Sequence, residues 1–345
     1  MSVGYLYDPA FLEHDAGLGH PESPARLRAI LDRLERSGLV EQVQRLPVVP
    51  ADDEDILRVH GVTLLQRLNR LTEVGGGRLD PDTSVGRGSY VAARMAAGAA
   101  LCGARDVWRG DIQRVFALTR PPGHHAERER AMGFCLLNNV AIAVHWLLAN
   151  GAHRIAIVDL DAHHGNGTAA AFADDARVLY VSIHQYPWYP STGDWPQMGR
   201  GAGEGTELNV PLPAESGDAS LLLAMDEIVR PAMRKFAPEM ILVSMGYDGH
   251  WADPLTWLLY SLRGLYLAVA RLVDLSEELC RGRMALVLEG GYDLEALGHG
   301  VAGTLSALQG KDYPDPLGPA TEPEPSIEAL VARIASRHPL LRGDD

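Results

Sequence analysis

Cysteine is scarce in this chain, and so is positive charge. The three cysteines, Cys102, Cys135 and Cys280, stand far apart without C-x-x-C spacing. That excludes a disulfide framework and points to a reducing compartment, with the thiols as small buried hydrophobes. Lys and Arg number 31 against 45 Asp and Glu, a formal charge of −14. A nucleic-acid binder should show a basic face, so that class is set aside; an acidic balance is compatible with a cationic substrate. A long apolar run is also missing. Gly133 to His153 carries no Asp, Glu, Lys or Arg, yet holds Asn138, Asn139, His145 and Asn150, which suits a buried helix and not a membrane span. The opening MSVGYLYDPAF has neither a basic nor an apolar leader segment, so no signal peptide is expected and the chain reads as cytoplasmic, without a membrane partner.

What is present is the composition of a soluble globular protein, 46% hydrophobic and 22% charged. The length of 345 residues suits one large α/β domain. SPARLRAILDRLERSGL reads as a helix with Ser23 as cap, Pro24 in the first turn, Leu27, Ile30, Leu31 and Leu34 as an apolar stripe, and Gly38 as its close. Ser89 to Gly110 reads as a longer helix. Five short apolar runs then alternate with helical stretches: Arg114–Thr119, Arg154–Asp161, Arg177–His184, Met240–Gly246 and Met284–Gly291. Helices are expected near Leu136–Leu148, Leu221–Phe236 and Leu258–Leu275. Uniformly apolar strands between helices predict a parallel sheet covered on both faces. No internal repeat or linker divides the chain, so residues 1–345 read as a single domain. Its core spans about residues 5–310, followed by a surface tail through YPDPLGPATEPEP and a short terminal helix.

The ends of those runs are unusual. RVFALT leads to His124 and His125, and RIAIV to Asp159, Asp161, His163 and His164. MILVSMG leads to Tyr247 and Asp248, and MALVLEGG to Tyr292. In open parallel α/β sheets, ligands bind outside the carboxyl ends of the strands, and here four strands deliver ionisable groups to that one edge. Buried charge is costly unless it is paired or binds a metal. Strand alternation would point Asp159, Asp161 and His163 to one side, and Leu160 and Ala162 to the other. Asp161 and His163 are therefore two candidate metal ligands, with Asp248 the obvious third, a set that leaves a position open for water. His124 and His125 follow a rigid Pro-Pro-Gly turn and suit proton transfer near neutral pH. Asp159 and Asn166 suit hydrogen-bonding them, the acid favouring a charged imidazole and the amide leaving the other easier to deprotonate. Tyr292, on its Gly-Gly turn, could hold a developing oxyanion.

RPPGHHAERERAMGFCLLNN, VDLDAHHGNGT, SMGYDGHWADPL and LEGGYDL, in this order and spacing, resemble the signature segments of the histone deacetylase and acetylpolyamine amidohydrolase superfamily, and GHPESPARLRAIL resembles its opening segment. The resemblance runs from about Tyr5 to Gly310 and is nearest to bacterial class II-like deacetylases. It implies the arginase/deacetylase fold, with about eight parallel strands between helix layers. It implies that Asp161, His163 and Asp248 bind one catalytic Zn²⁺, for which Fe²⁺ could substitute. By the same resemblance His125 is the general base and acid, with His124 its electrostatic partner bonded to Asp159, Asn166 its support, and Tyr292 the group that polarises the acetyl carbonyl. Gly133, Phe134 and Tyr189 would wall a substrate tunnel, with Leu255 where polyamine-selective relatives can carry a glutamate. Asp159, Asp161, His163 and Ser182 would form a structural monovalent cation site suited to K⁺. The expected partner is an acetylated amine, acetyl-lysine or an acetylpolyamine, and the oligomeric state is open, a homodimer included.

DPLTW at Asp253–Trp257 departs from the Asp-Pro-Leu-Gly-Gly usual in class II relatives, placing Trp257 near the expected pocket mouth. MGRGAGEG, Met198 to Gly205, does not sit between a strand and a helix, so it reads as a surface loop and not a dinucleotide site. Two rival readings remain: a binuclear Mn²⁺ ureohydrolase of the same fold, against which Gly165 stands where a bridging acid is needed, and a non-catalytic acyl-lysine binding module, against which Tyr292, both histidines and all three ligands stand.

Overall fold

The computed structural model describes residues 2–342. Ten strands occur among them: β1 (Val3–Leu6), β2 (Gln44–Leu46), β3 (Gly76–Asp80), β4 (Thr83–Gly86), β5 (Arg114–Ala117), β6 (Ile155–Asp159), β7 (Val178–Gln185), β8 (Glu207–Leu212), β9 (Met240–Met245) and β10 (Met284–Leu288). Eight of them form one sheet in the order β2-β1-β5-β10-β9-β6-β7-β8, and every pairing in it is parallel. β3 and β4 make a separate antiparallel hairpin. The residues of β5, β6, β7, β9 and β10 are all buried. Their uninterrupted apolar runs therefore meet helices on both faces, as expected of a parallel sheet. One apolar core extends from Val3 in β1 to Ile334 near the end of the described residues. Among those residues no helix is long and apolar enough to cross a membrane.

The five expected strands are present. The sequence reading missed three further members of the sheet, and each has a physical reason. β1 is four residues of mixed character and β2 is a three-residue edge strand with only Leu46 buried. β8 carries Asn209 and Pro211, which an edge position tolerates because one side of its backbone needs no partner.

Helix starts shift for reasons of capping. Pro24–Arg36 does begin after Ser23, but the Ser23 side chain makes no capping bond. Gly38 follows its end at φ +67, a left-handed position that suits glycine. The helix expected from Leu136 starts instead at Asn139, because Asn138 caps it by accepting from the Ala141 N–H. The one expected over Leu258–Leu275 runs Leu262–Cys280. Leu259 and Tyr260 are held in short bridges, and Ser261 accepts from Gly264 N–H as the cap. The stretch expected over Leu221–Phe236 begins at Asp218 and passes through a π-turn at Met225–Val229. The tail stretch Tyr313–Pro325 lies on the surface but is tied down. The Glu324 carboxylate accepts from the Gly217, Ala219 and Ser220 N–H groups at the start of that helix.

The strand order places β5, β10, β9, β6 and β7 side by side. All the ionisable strand ends read from the sequence thus converge on one stretch of the sheet's carboxyl edge.

Candidate active site

After β5 the chain turns through Pro121, Pro122 and Gly123 to present two adjacent imidazoles, His124 and His125, with ring centres 4.0 Å apart and planes tilted by 44°. The turn is fixed by Glu289, the first residue after β10. Its buried carboxylate accepts from Gly123 N–H at 2.7 Å, from His124 N–H at 3.2 Å and from the Ser244 hydroxyl at 3.1 Å.

The two histidines have different partners. His124 Nδ1 lies 3.1 Å from Asp159 Oδ2, an oxygen that also accepts from the Tyr180 hydroxyl at 3.0 Å. Burial alone would depress His124, but the carboxylates of Asp161 and Asp159 outweigh it and push it up to about 10. His125 Nδ1 lies 2.8 Å from the Asn166 Oδ1 amide oxygen. Burial first, then the charges of His124 and His163, drive His125 well below the ordinary imidazole range. One imidazole is thus held charged and its neighbour held neutral.

β6 ends at Asp159, and the chain beyond it carries Asp161 and His163 towards Asp248, which follows β9. Each of the three offers one ligand atom, all within 4.8 Å of one another, and all three are deeply set. The acids are oriented from the backbone: Asp161 accepts from Gly290 N–H at 2.8 Å and Asp248 from Ala162 N–H at 2.9 Å. His163 Nδ1 stands 3.1 Å from Asp161 and 3.0 Å from Asp248. Burial opposes its charge, yet the bonds to the two carboxylates raise it to about 10, so the cluster favours positive charge at its centre. Gly290 must lack a side chain, since a Cβ there would sit 2.3 Å from an Asp248 oxygen. As the alternation suggested, Leu160 and Ala162 turn into the apolar core. His164 binds the Thr192 hydroxyl at 2.7 Å, away from the triad. Among the described residues a second group, His124, Cys135 and Glu289, is equally compact. Its His124 Nδ1 and Glu289 oxygens are already engaged in the bonds given above.

Tyr292 follows Gly290 and Gly291. Its backbone N–H donates to Asp253 Oδ2 at 2.6 Å, and the Arg26 guanidinium lies 4.9 Å from its ring centre. Arg26 in turn donates to the Gly291 carbonyl at 2.7 Å and to the Glu289 carbonyl at 2.6 Å. Glu22 and Arg120 complete this buried group, 2.6 Å apart.

A cavity of about 200 Å³ opens onto the cluster. His124, His125, Asp161, His163 and Tyr292 line it, together with all four expected tunnel residues, Gly133, Phe134, Tyr189 and Leu255. Gly133 lies flat against His125: at φ +57, a Cβ would stand 2.4 Å from the imidazole. Asp159 and Asn166 do not line the cavity but stand behind the histidines. Ser182 pairs with Asp159 across the β6–β7 ladder. His184 Nε2 donates to the Gly193 carbonyl, so its Nδ1 accepts from the Ser182 hydroxyl at 2.8 Å. Trp257, expected near the mouth, is exposed and does not line the cavity; Trp188 and Asp82 do. The sequence reading gave no role to Glu22, Arg26, Asp82, Tyr180, Trp188, Asp253 or Glu289. For Asp253 and Glu289 a signal existed, an acid inside a recognised strand-end segment.

The chain and its fold find close counterparts in known proteins. The family described as histone deacetylase domain matches residues 20–308. The chain belongs to the histone deacetylase family. A protein of Archaeoglobus fulgidus named probable deacetylase is 40% identical over 336 residues, covering 96% of this chain and 92% of that protein. The histone deacetylase-like amidohydrolase of Pseudomonas aeruginosa is 38% identical over 287 residues, covering 82% of this chain and 75% of that one. The crystal structure of the HDA15 HD domain superposes with a TM-score of 0.91 at 32% identity, across 99% of this chain and 96% of that chain. The eight-stranded parallel sheet is thus the histone deacetylase fold.

Proposed function

We propose that this histone deacetylase family member hydrolyses acyl amides of amines, acetyl groups first among them, with the help of one divalent metal ion. The observation that carries the proposal is the convergence of Asp161, His163 and Asp248 beside a cavity that also holds His124, His125 and Tyr292. Two carboxylates and an imidazole, buried and held by backbone N–H groups, are a donor set that fits Zn²⁺ and equally accepts Fe²⁺. The ion, when bound, lowers the pKa of water and polarises a carbonyl.

The chain's own groups do the rest. His125, held neutral, accepts the proton of the attacking water at Nε2. His124, held charged by Asp159 and Asp161, stabilises the negative charge that gathers nearby. The Tyr292 hydroxyl donates to the carbonyl oxygen as its charge grows. The amide C–N bond then breaks, a histidine proton goes to the departing nitrogen, and a carboxylate and a free amine leave. The apolar walls, Phe134, Tyr189 and Leu255, suit a slim acyl chain and exclude bulk water. Asp159, Asp161, His163 and Ser182 would hold a structural K⁺ behind the site. Acetyl-lysine and acetylpolyamines both fit as substrates.

The ureohydrolase reading meets a steric objection. Gly165 offers no ligand where a bridging acid is needed, and a Cβ there would stand 2.4 Å from Asp159 Oδ2 and 2.6 Å from the Tyr180 hydroxyl, so an acid would displace the groups that hold His124. The test of the proposal is Asp248→Ala. It should lose both bound zinc and amide hydrolysis while keeping its circular dichroism; a variant that retains stoichiometric zinc and full turnover refutes it.

A further inference from the structure

Two residues beyond His125, the Glu127 side chain reaches back to the pair. Asn166 Nδ2 donates to Glu127 Oε1 at 2.7 Å, while Asn166 Oδ1 faces His125 Nδ1 at 2.8 Å. Both ends of this link are fixed. Glu127 N–H donates to the Arg130 carbonyl at 2.8 Å, and the Glu127 carbonyl accepts from His60 Nδ1 at 2.9 Å. Asn166 is the first residue of the helix Asn166–Phe172. Nδ2 has other neighbours at 3.5 Å, the His125 carbonyl and Met132 Sδ, but a carbonyl at that distance and a thioether sulfur are both weak acceptors beside the Glu127 carboxylate at 2.7 Å.

We propose that Glu127 is a positioning residue that sets the tautomer of His125 through the Asn166 amide. The proposal rests on the reading of His125 as the base. An asparagine amide donates at one end and accepts at the other, whereas a carboxylate oxygen only accepts. Turned over, Asn166 would set its oxygen against the Glu127 carboxylate, two acceptors in contact. Glu127 therefore selects the orientation in which Oδ1 faces His125. An acceptor at that place requires the proton to sit on Nδ1, so Nε2 keeps its lone pair. Without Glu127 the amide is free to turn, and Nδ2 would then donate to Nδ1 and move the proton to Nε2, which disables the base. Glu127 is half-buried and borders a surface recess with His164, Thr192 and Arg200, apart from the substrate cavity. Its replacement therefore leaves the cavity lining untouched.

Glu127→Gln and Glu127→Ala, in zinc-loaded protein labelled with 15N in its histidine rings, test this. Long-range 1H–15N spectra read which ring nitrogen carries the proton. In the wild type His125 should be protonated at Nδ1. In both variants an Nε2-protonated form should appear, and kcat on an acetyl-lysine peptide should fall by about ten- to hundredfold with KM and zinc content unchanged. Adding Asn166→Asp to Glu127→Gln, so that residue 127 donates and residue 166 only accepts, should restore the Nδ1-protonated ring. A His125 that keeps the wild-type tautomer in both single variants overturns the proposal, whatever happens to kcat. If the wild type hydrolyses no acyl amide, the proposed function fails, while the spectra still decide the role of Glu127.

Discussion

His60 links acid stability to the site. Its imidazole is fully buried. Nε2 accepts from the Asn138 N–H at 2.8 Å, so Nδ1 carries the proton it donates to the Glu127 carbonyl. The bond from Asn138 needs the neutral ring, because a protonated Nε2 has no lone pair to accept with. Burial is the largest influence and pulls His60 from 6.5 down to about 4, with backbone bonds at Glu127 and Arg128 opposing it only in part. In the unfolded chain the ring takes up its proton near 6.5, so between that pH and 4 the unfolded state binds more protons. Stability must therefore rise with pH across this window and fall as pH is lowered through it. At about 1.4 kcal/mol per pH unit, the gap amounts to about 3 kcal/mol, most of it lost by pH 4.5. His60→Gln keeps a donor and an acceptor but cannot titrate. Urea unfolding of both proteins at pH 7.5, 6.0, 5.0 and 4.5 isolates the effect, because every other titrating group is shared. The difference in unfolding free energy should move by about 2–3 kcal/mol in favour of the variant as pH falls. A difference that stays flat within about 0.5 kcal/mol across that range refutes the reasoning.

Further outcomes follow from the site. Tyr292→Phe removes the hydroxyl expected to meet the oxyanion, so kcat should fall by about 10²–10³-fold with KM little changed; steady-state kinetics on an acetyl-lysine peptide check this. Glu22→Gln weakens a fully buried acid bound to Arg120, Arg26 and His14. Leaving Arg120 poorly neutralised should cost about 3–5 kcal/mol, read as a lowered denaturation midpoint. Burial would raise Glu22, but the Arg120 charge, then the bond and charge of His14 and the charge of Arg26, hold it well below the ordinary carboxylate range. Its contribution is thus complete above pH 4.5 and is lost as pH falls below that, so wild type and variant should converge in acid.

The parts legible in the sequence were those with a local pattern. β5, β6, β7, β9 and β10 are continuous apolar runs because both faces are covered, and their ionisable ends stand out against that background. Asp161, His163, Asp248, His124, His125 and Tyr292 could all be found this way, and the structure brings them together. Residues that act across the chain left no such trace. Arg26 flanks the apolar stripe of its helix, Leu27, Ile30 and Leu34, and an arginine there carries no local sign of burial. It is nevertheless buried, because Glu22 and the carbonyls of Glu289 and Gly291, more than 260 residues away, give it partners. Tyr180 looks like a core strand residue, and only the register of β7 beside β6 sets its hydroxyl against Asp159. β8 was hidden by Asn209 and Pro211, residues that mark an edge and not a core strand.

The most direct test is the hydrolysis of an acetyl-lysine peptide and of N-acetylputrescine by the zinc-loaded protein, measured side by side as kcat/KM, before and after removal of the metal. The account predicts release of acetate and free amine from at least one of them, abolished by a chelator and restored by zinc; preference for the peptide means an open mouth, and preference for the putrescine a restricted or acidic one. Full zinc occupancy with no hydrolysis of either would contradict it.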